Sequence, residues 1–555
     1  MLFPTFDFLL FVIPVLLGFW ALADRPLLRV VFLLGASYFF YMAGPQTDPV
    51  GAPWYFVGLL VFSTVLDFVA GHAIHRLEPA AGSEDVEVAA AAKRRRSFWL
   101  GLSLTGNLGL LGYFKYANFF MAAFADMAGA VGISIEAYHL DVILPLGISF
   151  YTFQSLSYTL DVWRGRLTPE PSFLRFALFV SFFPQLVAGP IVRASQFLPQ
   201  LQAGPRFSRE GMESGAFRIC RGLIKKVIFG DFIAVHLTDR IFDNPGMFTS
   251  AELLVALYGY TLQIYADFSG YSDIAIGLGL MLGFVLPENF DRPYQSRDIA
   301  EYWRRWHMTL SSWLRDYLFF QLLARFGARA GYVAVWLTMF LVGMWHGASW
   351  NFVIYANIHA GAVVFNRWNR MRRNKRGQAP AKIVKALRWI VGSAIGFGLS
   401  YALSVRLFEL PWDLALVLAG IIMGAFLLVS ALPLSKIRDG RMRTAVHIVL
   451  TFHLLVFSRI FFRAPDLETA RSFIAGLLRL DGYGLRPGLA SEWVWAALIG
   501  GLIFHFTPKD WVNVRALAAF RRVPGLALGV GFLGLAYALM KVLEGAPRAF
   551  IYFQF

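Results

Sequence analysis

GYVAVWLTMFLVGMWHG, residues 331–347, is an apolar run without a single acidic or basic residue until it ends on Trp345 and His346. A helix needs roughly 20 residues to cross the ~30 Å hydrocarbon core of a bilayer, so this run comes close to spanning length. A titratable imidazole at such a depth is a functional candidate by default. The stretch therefore predicts a membrane helix with a chemical site at its end.

The rest of the chain has the same apolar character. Of its 555 residues 57% are hydrophobic and 15% charged, and the mean hydropathy is +0.56. That is more apolar surface than one soluble core buries. Apolar runs recur at 5–22, 27–43, 54–74, 97–123, 142–160, 223–238, 251–270, 331–346, 351–366, 389–409, 412–432, 444–462, 491–507 and 525–543. We predict an all-α, polytopic integral membrane protein of about 11–14 transmembrane or re-entrant helices, with re-entrant pieces around 172–192 and 288–325.

The net charge of +16 is compatible with nucleic-acid binding, but the placement of the charges favours a membrane orientation instead. Basic residues are concentrated at 93–96, 206–226, 367–388, 436–443 and 509–522. By the positive-inside rule these segments are cytoplasmic. The segments predicted to lie outside are 44–53, 239–252, 464–491 and the C-terminal 550–555. Residues 1–20 lack a basic leader and a small-residue cleavage site, which predicts a retained helix.

Domain organisation is predicted to be simple. We expect one integral domain over 1–555, with N-terminal helices to about 140, a catalytic core over about 141–366 and C-terminal helices over about 389–555. No internal repeat is apparent, which disfavours transporters built from duplicated halves. The single cysteine, Cys220, excludes an intramolecular disulfide framework and a multi-cysteine metal site, and no metal centre is predicted.

A second histidine occurs in a similar aromatic setting, in EYWRRWHMTLSSWLRDY at 301–317. The pattern predicts one amphipathic helix with His307 beside its apolar stripe. The alternative is a bilayer-surface anchor, since Trp and Arg are common there. Around His346, Gly343 and Gly347 predict room for a close approach of backbone or ligand, such as an acyl carrier. The alternative is a core histidine. Structural roles are predicted for the other histidines, His72, His75, His139, His236, His359, His447, His453 and His505.

These stretches carry a resemblance to a known family. EYWRRWHMTLSSWLRDYLF (301–319) followed by LVGMWHGASWNFVIYANIHA (341–360) resembles the signature of the membrane-bound O-acyltransferases. Other stretches resemble its bacterial polysaccharide branch, typified by the membrane subunit of alginate O-acetylation. They are ILPLGISFYTFQSLSYTLDVWRG (143–165), FFPQLVAGPIVR (182–193), YADFSGYSDIAIG (265–277), ENFDRPY (288–294) and FFRAPDLETA (461–470). The resemblance runs almost from end to end.

The resemblance implies a curved helical wall around a central tunnel, with the acyl donor entering from the cytoplasm and the acceptor from the other face. The essential histidine of the WHG motif corresponds to His346, and the position in WRRWH corresponds to His307. It also implies acetyl-CoA or another acyl thioester as donor substrate, with no tightly bound cofactor, and a separate periplasmic partner of the esterase-like SGNH type.

The chain ends in FIYFQF (550–555), which resembles the terminal tyrosine motif of the partner peptide in teichoic acid D-alanylation. This resemblance predicts that Tyr552 relays the acyl group, since an aryl ester stays activated for a second transfer. The alternative is an aromatic belt that anchors the last helix at the outer interface.

We therefore expect an O-acetyltransferase of the bacterial inner membrane that moves an acetyl group towards an exported polysaccharide. Alginate, cellulose, peptidoglycan and other exopolysaccharides remain open as acceptors. His346 is the expected general base, and His307 orients the donor or stabilises the oxyanion. The remaining predicted site residues are Arg304 and Arg305 for donor phosphates, Trp306 and Trp345 as tunnel walls, and Asn289, Asp316, Asp267 and Asp273 as supporting groups.

Two alternatives stay open from the sequence alone. Intramembrane Asp267 and Asp273 together with two histidines also suit an ion- or proton-coupled transporter. A second alternative keeps the acyltransferase and changes the acceptor to a lipid or a protein. The predicted external C-terminus favours a polysaccharide over a lipid or a protein as the acceptor.

Overall fold

The fold was analysed in a computed structural model, which describes residues 3, 5–43, 55–130, 132–374, 440–480, 482, 484–486, 489 and 491–542. Throughout these residues the secondary structure is helical. The apolar runs predicted at 389–409 and 412–432, the loop at 44–53 and the C-terminal Tyr552 lie outside them.

The α-helices are α1 Phe6–Ala21, α2 Pro26–Met42, α3 Phe56–Arg76, α4 Glu78–Ala81, α5 Val86–Leu111, α6 Ala117–Ala130, α7 Ile148–Trp163, α8 Phe173–Ser181, α9 Phe183–Leu186, α10 Ala194–Ala203, α11 Arg209–Ile224, α12 Asp239–Asp243, α13 Ser250–Met281, α14 Ile299–Arg305, α15 Met308–Leu314, α16 Phe320–Phe326, α17 Gly331–His346, α18 Trp350–Asn374, α19 Gly440–Arg463, α20 Leu467–Arg479, α21 Glu492–Phe506, α22 Leu517–Arg521 and α23 Gly525–Val542. Segments of π-helix occur at 112–116, 225–231, 234–238, 315–319 and 511–516, and short 3₁₀ turns at 245–247, 293–295 and 328–330.

Helix α13 is the central element of the fold and is buried along most of its length. A capping box starts it, in which the Thr249 hydroxyl accepts the Glu252 N–H and the Glu252 carboxylate accepts the Thr249 N–H. α11 packs against it through glycines, because a Cβ on Gly222 would lie 2.6 Å from the carbonyl oxygen of Gly270. Gly215 and Gly277 meet in the same way, also at 2.6 Å. The two backbones therefore touch, in antiparallel order.

Two of the described helices, α3 and α19, are long and apolar enough to cross a membrane by length and composition. Shorter apolar helices are α1, α2, α17 and α21. The prediction of an all-α chain is confirmed for the described residues. The tunnel and the full count of crossings remain predictions.

Segments assigned to the same side of the membrane by the positive-inside rule meet in the structure. Arg463, which directly precedes the predicted external segment 464–491, pairs with Asp239 at 2.9 Å. Between the two external segments themselves, the Ser250 hydroxyl donates to the Gly476 carbonyl at 2.8 Å. Between the predicted cytoplasmic segments, Arg521 pairs with Glu210 at 2.9 Å. The side of the membrane on which each group of loops lies remains a prediction.

The predicted single helix over 301–317 is wrong. Helix α14 ends at Arg305, and α15 begins at Met308 after His307 takes up a left-handed conformation with φ 43°. Segment 289–291 runs alongside the break, where the Asp291 N–H donates to the Arg305 carbonyl at 2.8 Å. The Met308 N–H donates to the Asn289 carbonyl at 2.9 Å. These bonds replace those that a continuous helix would form.

Candidate active site

The first candidate residue, His346, is the last residue of α17 and only 1% of it is exposed. The chain turns at once into α18, which packs tightly against α17. A Cβ on Gly343 would lie 2.4 Å from that of Ala356, and one on Gly347 would lie 2.0 Å from the Phe352 ring. The close approach of backbone that these glycines predict is confirmed at Gly343, where Ala356 of α18 lies against the helix. The Phe352 ring fills the space at Gly347, so the expected room for an acyl carrier at this point is wrong.

The C-terminal end of α17 is held by two side chains from the π-helical segment 112–116. The Lys115 ammonium donates to the Trp345 carbonyl at 2.6 Å, and the Tyr116 hydroxyl donates to the Met344 carbonyl at 3.0 Å. A cation is favourable here because the last helical carbonyls carry partial negative charge. Neither residue was predicted from the sequence, although a lysine inside the apolar run 97–123 was a usable signal. They fix the backbone that carries His346.

His307 lies in the break between α14 and α15 and is fully buried. The Asn289 carboxamide supports the turn, because its Oδ1 accepts the Thr309 hydroxyl at 2.9 Å and its Nδ2 donates to the Ser272 hydroxyl at 3.2 Å. A positive φ is uncommon outside glycine, and where it persists the surroundings hold it. The turn therefore sets the direction of the imidazole.

The two imidazoles meet at one indole. The Trp345 ring centroid lies 5.2 Å from that of His307 and 5.1 Å from that of His346. Phe268 of α13 covers His307 at 4.8 Å, and Phe150 of α7 packs on Trp345 at 5.3 Å. Within the described residues neither ring nitrogen of His307 has a hydrogen-bond partner. Buried polar atoms of this kind call for a ligand, a water or a catalytic role.

A buried arginine that was not predicted from the sequence lies beside the two histidines. Arg459 of α19 is fully buried and donates to the Tyr302 hydroxyl at 2.7 Å and to the Tyr355 hydroxyl at 3.2 Å. Its guanidinium carbon lies 5.0 Å from the Trp306 ring centroid and 5.3 Å from that of Phe462. We call these five residues the Arg459 cage.

The Arg459 cage is joined to His346 directly. Phe462 lies 5.2 Å and Tyr355 6.4 Å from the His346 ring, measured between centroids. The charge of Arg459 has no carboxylate partner among the described residues. The interaction energy between two charges is larger where water is excluded, because the effective dielectric constant is lower. The positive charge of Arg459 therefore contributes to the electrostatic potential at the histidine pair.

The four residues predicted to bind the donor lie in three different surroundings. Trp345 contacts both imidazoles, and Trp306 is a wall of the Arg459 cage. Arg305 pairs with Glu301 at 2.7 Å and bonds the Asp291 carbonyl. Arg304 is exposed and faces a polar cavity. The structure thus brings only the two tryptophans to the histidines.

The predicted supporting carboxylates lie in ion clusters. Asp267 pairs with Lys226 at 2.6 Å. Asp273 is bonded by the Arg218 and Arg221 guanidinium groups and by Lys225 at 2.8 Å. We call Asp273, Arg218, Arg221 and Lys225 the Asp273 cluster.

The last predicted carboxylate, Asp316, pairs with Arg193 at 2.7 Å and with Arg315 at 2.8 Å. Asn289 bonds directly to the segment that carries His307, through the Thr309 hydroxyl.

Two histidines expected to be structural are buried in aromatic surroundings. His359 shares a hydrogen bond with the Ser458 hydroxyl at 3.0 Å and lies 4.4 Å from the Tyr355 ring, beside the Arg459 cage. His505 packs against Tyr265 at 4.7 Å. Among the described residues, no group of three or more His, Cys, Asp or Glu side chains is arranged to hold a metal ion.

Comparison with known proteins agrees with the sequence motifs. The family model of the membrane-bound O-acyltransferases matches residues 164–404. The chain is 38% identical over 392 residues to a probable alginate O-acetylase AlgI of Azotobacter vinelandii, covering 70% of this chain and 72% of that protein. It is 35% identical over 403 residues to the peptidoglycan O-acetyltransferase of Helicobacter pylori, covering 66% and 70%. A teichoic acid D-alanyltransferase of Bacillus subtilis is 30% identical over 243 residues, covering 40% and 60%.

The chain therefore belongs to the membrane-bound O-acyltransferase family. The family resemblance drawn from the motifs is confirmed, and the protein is a membrane-embedded acyltransferase. Family membership also decides between the two functional classes left open by the sequence, in favour of the enzyme over the transporter. Roles for individual residues remain predictions.

Proposed function

We propose that this protein is a multi-pass O-acetyltransferase of the bacterial inner membrane. It takes an acetyl group from a cytoplasmic thioester, acetyl-CoA, and passes it towards an exported polysaccharide. Relatives named for alginate and peptidoglycan O-acetylation support the acetyl group and the polymer class. The proposed catalytic core is 141–366, flanked by the N-terminal and C-terminal helices of one domain.

The observation that carries the proposal is the meeting of His307 and His346 on Trp345, with two buried ring nitrogens of His307 lacking protein partners in the described chain. In the proposed reaction His346 takes the proton of an acceptor hydroxyl as its oxygen bonds to the thioester carbonyl carbon. The carbon–sulfur bond then breaks, and the thiol leaves with the proton held by the imidazole. His307 donates a hydrogen bond to the carbonyl oxygen as negative charge develops there.

Both imidazoles are buried, so donor and acceptor reach them only where helices open. The proposed tunnel passes Trp345, with the cytoplasmic branch carrying the donor and the external branch carrying the acceptor. Exclusion of water from such a site strengthens the hydrogen bonds to the reacting carbonyl and keeps the thioester from hydrolysis. A separate periplasmic esterase-like partner completes delivery to the sugar hydroxyls.

Tyr552 is the proposed acyl relay between the histidine pair and that partner. The proposal rests on the terminal aromatic motif and places the C-terminus in the periplasm. A similarity to a teichoic acid D-alanyltransferase over 40% of this chain supports a common mode of acyl export.

The test is acetyl transfer by the purified protein in lipid nanodiscs, followed as release of CoA thiol and of labelled acetyl product. His346→Ala should lower the rate about 100-fold or more, since a general base contributes roughly 10²–10⁴. The matched control is His75→Ala, because His75 is exposed and bonds only Glu78 among the described residues. Full activity of His346→Ala would contradict the assignment, and full activity of Tyr552→Phe would remove the relay alone.

A further inference from the structure

The stretch 133–140, ISIEAYHL, lies between α6 and α7 and belongs to neither helix. No helix, turn or bend interrupts it, so its backbone runs straight. All of its residues are exposed except Leu140, which is partly buried. Isoleucine and tyrosine favour strands over helices. The stretch is therefore an isolated extended segment on the surface, and we call it segment 133–140.

One residue anchors this segment to the rest of the protein. The Asn118 carboxamide of α6 donates to the Leu140 carbonyl at 3.0 Å and accepts the Leu140 N–H at 2.8 Å. Two residues that face each other in an antiparallel sheet exchange the same pair of bonds. Asn118 thus takes the place of one strand residue, and it pairs with the edge of the segment that faces the protein.

The backbone groups that precede this anchor are unpaired. In the part of the chain that the structure describes, no backbone N–H or carbonyl from 134 to 139 makes a hydrogen bond. Successive residues of an extended chain direct these groups to opposite edges, so Ile135, Ala137 and His139 present theirs on the edge opposite to the anchored one. An exposed edge of this kind is a template for a strand of another chain.

The charge around segment 133–140 differs from that of the whole chain. Between Lys115 and Arg164 there is neither lysine nor arginine, whereas the same stretch contains Asp126, Glu136 and Asp141, in a chain of net charge +16. Two copies of the segment would bring like charges together, which disfavours pairing between copies. Charge complementarity favours a strand that carries lysine or arginine.

The position of the segment relates it to the candidate active site. Its anchor, Asn118, follows Lys115 and Tyr116 by less than one helical turn, and these two residues hold the end of α17 that carries His346. The positive-inside rule predicts that the segment lies outside, because α5 begins with the basic residues 93–96 on the cytoplasmic side. The anchor of the segment and the support of the histidine therefore belong to one short piece of chain.

We propose that the free edge of segment 133–140 binds a basic edge strand of the separate periplasmic partner by β-strand addition. Backbone hydrogen bonds to Ile135, Ala137 and His139 give the affinity, and Glu136 gives the preference for lysine and arginine. This rests on the proposed function and deepens it by naming the surface that holds the partner and the mode of pairing.

The first experiment measures binding of a synthetic peptide of alternating lysine and valine, equal in length to the segment, to the protein in nanodiscs. Fluorescence anisotropy gives Kd, and hydrogen exchange shows which amides are covered. Ala137→Pro removes an N–H from the free edge and should raise Kd about tenfold, the upper range for one hydrogen bond. Ser134→Pro is the matched control, since Ser134 is also exposed and its N–H points to the anchored edge, so Kd should stay near the wild-type value.

Two further peptides separate backbone pairing from charge. A lysine–valine peptide with every backbone amide methylated keeps the charge and loses its donors, and it should bind about tenfold more weakly or worse. A glutamate–valine peptide keeps the donors and reverses the charge, and it should also bind more weakly than the lysine–valine peptide. Equal effects of the two proline substitutions, or equal affinity for any two of the three peptides that includes the lysine–valine one, overturn the proposal.

The second experiment compares O-acetylation of the exported polysaccharide in cells with CoA release by the purified protein. Ala137→Pro should lower polymer acetylation about tenfold and leave CoA release unchanged, since it touches neither histidine. Unchanged polymer acetylation overturns the assignment to the partner. Loss of CoA release would show that the segment serves this chain itself, and it overturns the proposal as well. If the wild-type protein releases no CoA, the proposed function fails, and peptide binding still decides the pairing.

Discussion

The Asp273 cluster and the Arg459 cage are both buried and positively charged, but their charges are neutralised differently. Asp273 accepts hydrogen bonds from Arg218, Arg221 and Lys225, and Arg218 is also bonded to Glu288 at 2.6 Å. In the cage, the described residues offer Arg459 phenol oxygens and aromatic faces and no carboxylate. The first arrangement ties α11 to α13, and the second leaves a positive charge next to a candidate reaction centre.

This difference indicates that the Asp273 cluster has a structural role and that Arg459 has a chemical one. A buried ion network holds helices together, and removing one partner leaves costly unpaired charge. An arginine inside a membrane domain without a counterion carries a solvation cost that hydrogen bonds and cation–π contacts only partly offset. Such a cost is tolerated where the charge serves chemistry, and the contacts from Phe462 and Tyr355 to His346 place it there.

The largest expected effect on stability is at the Asp273 cluster. Asp273→Asn leaves two arginines and a lysine without their shared carboxylate, and should cost roughly 3–5 kcal/mol of folding free energy. The measurement is loss of monodisperse protein on heating, followed by size-exclusion chromatography. Glu213→Gln is the control, because its pair with the exposed Arg209 is worth at most about 1 kcal/mol. Equal melting of the two variants would show that the cluster is not what ties α11 to α13.

The Arg459 cage should show the opposite pattern. Arg459→Met removes the charge and keeps a long side chain, so heat stability should stay near that of the wild type while kcat falls about 100-fold, the usual effect of losing one electrostatic group at an acyl-transfer site. Activity and melting are measured on the same preparation. If Arg459→Met lowers the melting temperature but leaves kcat of the folded fraction unchanged, Arg459 has a structural role, and the proposed difference from Asp273 is wrong.

The sequence predicted the helices and the pair of histidines better than it predicted local detail. The bounds of α17 coincide with the apolar run 331–346, because hydrophobic length is a strong signal. The break at His307 was missed, since an apolar stripe continues through it and the hydrogen bonds that impose it come from the distant segment 289–291.

Lys115 and Arg459 were missed for a related reason. Each is a basic residue inside an apolar run, and the sequence does not show which helix such a residue faces. Their partners, the Trp345 carbonyl and the Tyr302 hydroxyl, are far away along the chain. Basic residues inside predicted spans therefore belong in any list of candidate site residues.

The central claim, that His307 and His346 act in one site on Trp345, is tested most directly by a double-mutant cycle on acetyl transfer. His307→Gly suits the positive φ at that position and removes the imidazole, so the turn itself is kept. If the two act together, the double variant should be about as slow as His346→Ala alone, because groups that work as a unit are not additive. The account would be contradicted if the rate loss of the double variant equalled the product of the two single losses, or if either single variant kept the wild-type rate.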